Sequence, residues 1–159
     1  MARLKRLATD TSKASEGQWV EFCPAQDDDD TALELKIARI GNPTYQRRLQ
    51  ELVRPHRRKV RMGFDEDLEA HVKVAVAECC LVGWRGLEDD DGKPIAYSKE
   101  KSVEILTDAA YSDVLDFVMD VANDAAVYRE QAIGEAAGNS RSSSTGSSTS
   151  AKTRSDGKR

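Results

Sequence analysis

Four kinds of side chain here could do chemistry: runs of aspartate, three cysteines, two histidines and a dense arginine stretch. Asp89-Asp90-Asp91-Gly92 has the flavour of a calcium loop. With Gly92 in the sixth position of an EF-hand, the first falls on Leu87 and the twelfth on Ser98, where carboxylates are required. Asp27 to Asp30 read as a solvated loop that discourages edge pairing, not as a cation site. Zinc needs four nitrogen or sulfur ligands. Cys23, Cys79 and Cys80 contain no C-x-x-C, and Cys79 fits a core face. His56 follows Pro55 in a basic stretch, and His71 lies off the centre of an apolar helical stripe, so both read as surface or boundary histidines. There is no G-x-S-x-G, no P-loop and no G-x-G-x-x-G. Carboxylate pairs fall in turns and on solvated faces, without the contrast of environment that drives two pKa values apart. The sequence therefore predicts no catalytic residue, no metal ligand, no cofactor and no enzyme.

Binding is the remaining chemistry. Between Arg47 and Arg61 stand seven basic residues (Arg47, Arg48, Arg54, Arg57, Arg58, Lys59, Arg61) and one acid, Glu51. They form either a solvated face that offsets the acids elsewhere or a patch for an acidic partner surface. Arg47, Arg48, Arg57 and Arg58 are the candidate contacts. No aromatic interleaving accompanies them, so nucleic acid is not the expected partner. The second candidate region is Val82 to Ser98. It holds Trp84, one of two tryptophans, with three of the ten glycines and a run of acids. It reads as a stiff connector that aims a large aromatic side chain. Trp84 is either core, folded back on the preceding helix, or an exposed anchor of the kind enriched at interface hot spots. Leu87 shares either fate.

The elements that must position these residues follow from pattern. Trp19 to Cys23 is rich in strand formers and is ended by Pro24, and Leu33 to Ile37 alternates strictly. Period two places Leu33, Leu35 and Ile37 on one face, so the two runs predict a β-hairpin. Asn42-Pro43 is a helix start, cap then first position. Tyr45, Leu49, Leu52 and Val53 recur at helical spacing, and Pro55 disfavours helix at Arg54. A second helix starts at Asp65, with a stripe of Leu68, Val72, Ala75, Val76, Cys79 and Val82 and a stop at Gly83. Asp91-Gly92 predicts a tight turn with positive φ at Gly92. Ser98 caps a short helix carrying Val103 and Leu106. Asp108 caps the last one, with Val114, Phe117, Val118, Val121, Ala125 and Tyr128 as its buried face, fading near Gly134 to Gly138. The expected architecture is α+β, mainly α: an N-terminal hairpin, then about four helices, with residues 84–97 a small irregular or hairpin segment.

Composition sets the domain plan. The chain has 159 residues, 39% apolar and 33% charged, below the usual apolar share of about 45–50%. A small core under a heavily solvated surface results. Residues 1–16 read as a loose arm, 17–137 as one globular domain and 138–159 as a disordered Ser/Thr/Gly-rich tail that lacks apolar surface to offset chain entropy. From Ser140 onward five basic residues face one acid, which leaves 19 basic against 27 acidic residues, a net of −8, on the rest. An odd cysteine count with an adjacent pair implies no disulfide framework and a reducing cytosol. No run approaches the roughly 20 apolar residues of a membrane span, and Met1 to Thr11 lacks the apolar core of a secretory signal. A soluble cytoplasmic protein, without membrane or nucleic-acid partners, is the expectation.

One resemblance adds to this. The run Gly83-Trp84-Arg85-Gly86-Leu87, the acidic turn Asp89-Asp90-Asp91-Gly92, Lys93-Pro94-Ile95-Ala96-Tyr97-Ser98-Lys99-Glu100 and the short helix ending at Leu106-Thr107-Asp108 resemble the tail assembly chaperones of long-tailed bacteriophages. The last helix, with Phe117 and Tyr128, fits too. Leu35-Lys36-Ile37-Ala38-Arg39-Ile40-Gly41-Asn42-Pro43-Thr44-Tyr45 looks like the start of the same domain. The resemblance covers residues 17–130. It implies a non-enzymatic morphogenetic factor that binds the helical tape-measure protein, keeps it soluble, helps recruit tail tube subunits and is absent from the mature virion. It also implies a short form and a longer frameshifted form, of which this chain would be the short one. No catalytic residue or cofactor is implied, and a homo-oligomer is compatible with it. The rival expectation is a structural virion protein such as a head–tail connector or minor tail component.

Overall fold

A computed structural model describes residues 4–26, 31–63 and 65–129. The Asp27–Asp30 run and the Ser-rich tail lie outside these residues. A 3₁₀ turn, Leu4–Leu7, leads into helix α1, Thr11–Glu16. Strands β1 (Gln18–Cys23) and β2 (Leu33–Ile37) follow, then α2 (Pro43–Val53), a 3₁₀ turn at Arg54–His56, α3 (Arg57–Arg61) and α4 (Asp65–Cys79). Strand β3 (Leu81–Arg85), α5 (Lys99–Thr107) and α6 (Ser112–Asn123) complete the order, with 3₁₀ turns at Ala109–Tyr111 and Ala125–Tyr128. The fold is α+β and mainly helical. Among the described residues one sheet forms, with the order β1-β2-β3, antiparallel throughout.

The hairpin forms as its alternation requires. Val20 faces Leu35 and Gln18 faces Ile37 across β1 and β2. Leu35 and Ile37 point into the core, where they meet Val76, Cys80, Leu106, Val118 and Ala122. Two of the expected helix starts also hold, whereas Asp108 caps the 3₁₀ turn at Ala109–Tyr111 and α6 begins at Ser112 without a side-chain cap. Asn42 Oδ1 accepts from Tyr45 N–H at 2.9 Å with Pro43 at the first position, and Ser98 Oγ accepts from Lys101 N–H at 3.1 Å. Asn42 is itself buried, and its amide donates to the Arg39 and Cys79 carbonyls. One side chain thus caps α2 and ties it to the end of α4. Ser102, inside α5, ties that helix to α4 as well, donating to the Ala77 carbonyl at 2.6 Å inside the core.

Four further expectations need correction. The apolar stripe to Val82 does not make one helix. α4 ends at Cys79, and Leu81 enters a third strand that pairs with β2 (Leu35 opposite Trp84). Gly83 is therefore no helix terminator. It sits within β3 on the outer sheet face, beside Lys36 and the Trp19 indole, where a Cβ would make ordinary contacts at 3.4 and 3.7 Å. There Trp19 lies under the Arg85 guanidinium, 4.3 Å from the ring centre, and Arg85 is ion-paired with Glu34, whose carboxyl is held below its ordinary pKa by that hydrogen bond. Second, α2 does end at Val53, ahead of Pro55, but the geometry expected at Arg54 does not follow. Arg54 keeps helical angles, and the proline occupies the start of a 3₁₀ turn, where its missing N–H costs nothing. Third, the last helix ends at Asn123. Asp124 is extended and its carboxylate caps a new 3₁₀ turn at Ala126 N–H, which carries Tyr128 into the core. Fourth, within the stretch expected as a loose arm, residues 11–16 form α1. Asp10 caps it, Ala14 is buried beneath it, and its Ala14 carbonyl accepts from Arg39 N–H.

The core holds its titratable groups uncharged. Burial pushes the Cys80 thiol up to about 12 and raises Cys79, Tyr45, Tyr97 and Tyr128 as well. Cys23 alone of the three cysteines is exposed, and all three are free. Each of these groups is an acid whose folded pKa lies above its unfolded value. The stability they support is complete below the unfolded thiol value near 9 and drains away as the pH climbs toward 12. Urea midpoints measured from pH 7 to 11 should hold steady at first and then fall above about pH 9. A midpoint that rises or stays flat to pH 11 would contradict these burials.

Candidate functional site

The segment after β3 is a hairpin built on a three-residue loop. Asp89 N–H donates to the Lys93 carbonyl, Ile95 N–H to the Leu87 carbonyl, and Gly92 N–H to the Asp89 carbonyl, at 2.8–2.9 Å. The Asp89 carboxylate also accepts from Asp91 and Lys93 N–H. Gly92 has φ +75°, as expected, although it closes a four-residue turn from Asp89 and does not sit inside a two-residue one. The nearest atom to a Cβ there is 3.9 Å away, so only backbone strain opposes a side chain. Gly92→Val should cost roughly 1 kcal/mol or more, read from the urea midpoint. A neutral result would mean the loop relaxes to another turn.

Trp84 fastens this hairpin to the sheet. Its ring is 7% exposed, its indole N–H donates to the Ile95 carbonyl at 2.7 Å, and the Tyr97 ring meets it edge-on at 4.8 Å. Tyr97 in turn donates to the Leu81 carbonyl at 2.6 Å. Of the two sequence readings, Trp84 takes the core one. It is not an exposed anchor, because it is 7% exposed and its one polar atom is already engaged.

What the hairpin creates is a groove of about 410 Å³ between itself, the sheet, α5 and the turn leading to α6. Trp84, Leu35 and Leu81 lie at its bottom, and half-buried Leu87, Ile95 and Ile105 form its apolar walls. Its rim is acidic: Glu88, Asp89, Asp90, Glu104 and Asp108. Lys101, the single cation of the lining, is paired with Glu104 at 2.9 Å. A concave apolar floor under carboxylates suits an apolar ligand with cationic flanks.

The arginine candidates lie elsewhere. Arg47, Arg57 and Arg58 are exposed on α2 and α3, and Arg48 is bound to Glu78 of α4 and Glu51 of its own helix. None of the four lines the groove that Leu87 lines. The structure thus separates the two halves of the sequence-predicted surface. Sequence reasoning missed Ile95, Ile105 and Tyr111 as groove residues and Glu104 as part of its rim. It also missed the stacking of His56 on His71, ring centres 5.0 Å apart. Among the described residues no group of three or more His, Cys, Asp or Glu could hold a metal ion, and no helix is long and apolar enough to cross a membrane.

A family model described as YdaY prophage protein matches residues 40–139, more than half of the chain. The match begins between β2 and α2 and takes in α2 to α6, β3 and the hairpin. No curated protein and no solved structure matches the chain. On the strength of that match over α2 to α6, the chain belongs to the YdaY prophage protein family and is of phage origin.

Proposed function

We propose that this prophage protein is a tail assembly chaperone that holds helices of its phage's tape-measure protein before the tail tube forms around them. The observation that carries this reading is the acid-rimmed apolar groove beside Leu87, in a region whose sequence resembles that family. Its floor suits one or two apolar side chains of an amphipathic helix, in the helix-in-groove manner. The carboxylate rim favours a helix with basic flanks and sets its orientation more than its affinity. The exposed Arg47, Arg57 and Arg58 face is a second surface, suited to an acidic partner such as a tube subunit. In this role the protein acts in the host cytoplasm, performs no covalent chemistry, needs no cofactor and leaves before the virion is complete.

Co-expression with the tape-measure protein of the same phage tests this. The soluble fraction of that protein should rise several-fold, and Leu87→Asp, placed on the groove wall, should remove most of the gain while the chaperone itself stays folded by circular dichroism. Mass spectrometry of purified particles should find the chain absent. A folded wild-type protein that neither binds nor solubilises its tape-measure protein, and that is stoichiometric in finished particles, would instead identify a connector or minor tail component.

A further inference from the structure

We propose that the groove also receives the Leu4–Leu7 segment of a second copy of this chain. Among the described residues five large hydrophobic side chains stand exposed, and Leu4, at 84%, and Leu7, at 58%, are two of them. A third, Tyr111 at 49%, stands on the groove itself. Leu4 and Leu7 bracket Lys5 and Arg6 in a single 3₁₀ turn, in which residues three apart project from the same side. The segment therefore presents two leucines with two cations between them. The groove presents the complement, Leu87, Ile95 and Ile105 beneath carboxylates, with its lone lysine already neutralised by Glu104.

The two surfaces lie at opposite ends of β2. The segment is tied down near the Ile37 end: Thr9 bridges to Arg129, Asp10 N–H donates to the Tyr128 carbonyl, and the Tyr128 hydroxyl donates to the Ile37 carbonyl. The groove opens at the Leu33 end. Such a contact joins copies head to tail, toward a ring or an open chain, or reciprocally in a two-fold pair in which each segment fills the other copy's groove. With so little apolar area in the contact, it is weak and tuned by charge.

Sedimentation of the full chain over a series from roughly 1 µM to 1 mM tests this without any client, so its outcome and that of the chaperone experiment are independent. The mean mass should rise with concentration, and fall back when salt is raised from about 50 to 500 mM. Two charge-reversed variants follow, Lys5→Glu/Arg6→Glu on the segment and Glu88→Lys/Asp90→Lys/Glu104→Lys on the rim. None of these side chains caps a helix or turn. Each variant alone should stay monomeric where the wild type associates. Their equimolar mixture should associate again, because native segment then meets native groove and reversed meets reversed. Leu4→Ser/Leu7→Ser, with every charge kept, should weaken association at least roughly tenfold. A wild type that is monomeric over the whole series, variants that associate like the wild type, or a mixture that stays monomeric would each overturn the proposal.

Discussion

Trp84→Ala should remove about 3–5 kcal/mol of stability, the usual cost of truncating a large buried aromatic. The side chain is 7% exposed, packs in the central core with Leu35 and Leu81, and takes the edge of Tyr97. Its removal opens a cavity beneath the groove and leaves the Ile95 carbonyl without its donor. Domains of this size hold about 5–15 kcal/mol in all, so the variant should be partly unfolded at moderate temperature. Trp84→Phe refills most of the volume but not the hydrogen bond. It should cost less, with about 1–3 kcal/mol of the loss assigned to the orphaned carbonyl. Urea unfolding of the three proteins measures both quantities. An alanine variant within 1 kcal/mol of wild type would show that the hairpin does not depend on this ring.

Gly86→Ala should be the most damaging glycine-to-alanine change among the described residues. Gly86 follows β3 with φ +79°, and a Cβ built there would lie 2.3 Å from the Ala32 carbonyl oxygen and 3.0 Å from its carbon. Both are backbone atoms just before β2, so no side chain can swing away. The left-handed backbone costs about 1–2 kcal/mol for alanine, and the overlap adds about 1–3 kcal/mol on top. Gly63→Ala is the matched control. Its φ is +84°, but nothing lies within 4 Å of the Cβ, so it carries the backbone cost alone. The gap between the two variants in urea midpoint isolates the clash. Equal midpoints would mean that the start of β2 can move off β3 without loss.

Local signals in the sequence were reliable here because local chemistry sets them. Asn42-Pro43 and Ser98 cap their helices with their own side chains, and the Leu33, Leu35, Ile37 alternation needs only one buried face. Strand β3 was not legible in that way. Leu81 to Trp84 continues the apolar run of α4, and what makes it a strand is pairing with Leu35 and Lys36, more than forty residues earlier. Gly83 misled for the same reason: its neighbour in space, Trp19, is remote in sequence. The groove was half visible. Leu87 was marked, but the acids at its rim look like ordinary caps and turn residues until Trp84 draws the hairpin toward α5. The arginines of α2 and α3 carry charge legible in the sequence, yet only the fold shows that they sit apart from Leu87.

The unequal burial of the cysteines turns the molecule into its own reporter. Cys23 stands on the exposed face of β1, whereas Cys79 and Cys80 sit at the α4–β3 junction with thiols held protonated. Since only thiolates react, a maleimide should add once to the native chain and three times to the unfolded one. The masses of the adducts then count open molecules directly. Under reagent excess, the rate at which the second and third adducts appear is the rate at which that junction breathes, and a client or a second copy seated in the groove above it should slow that clock.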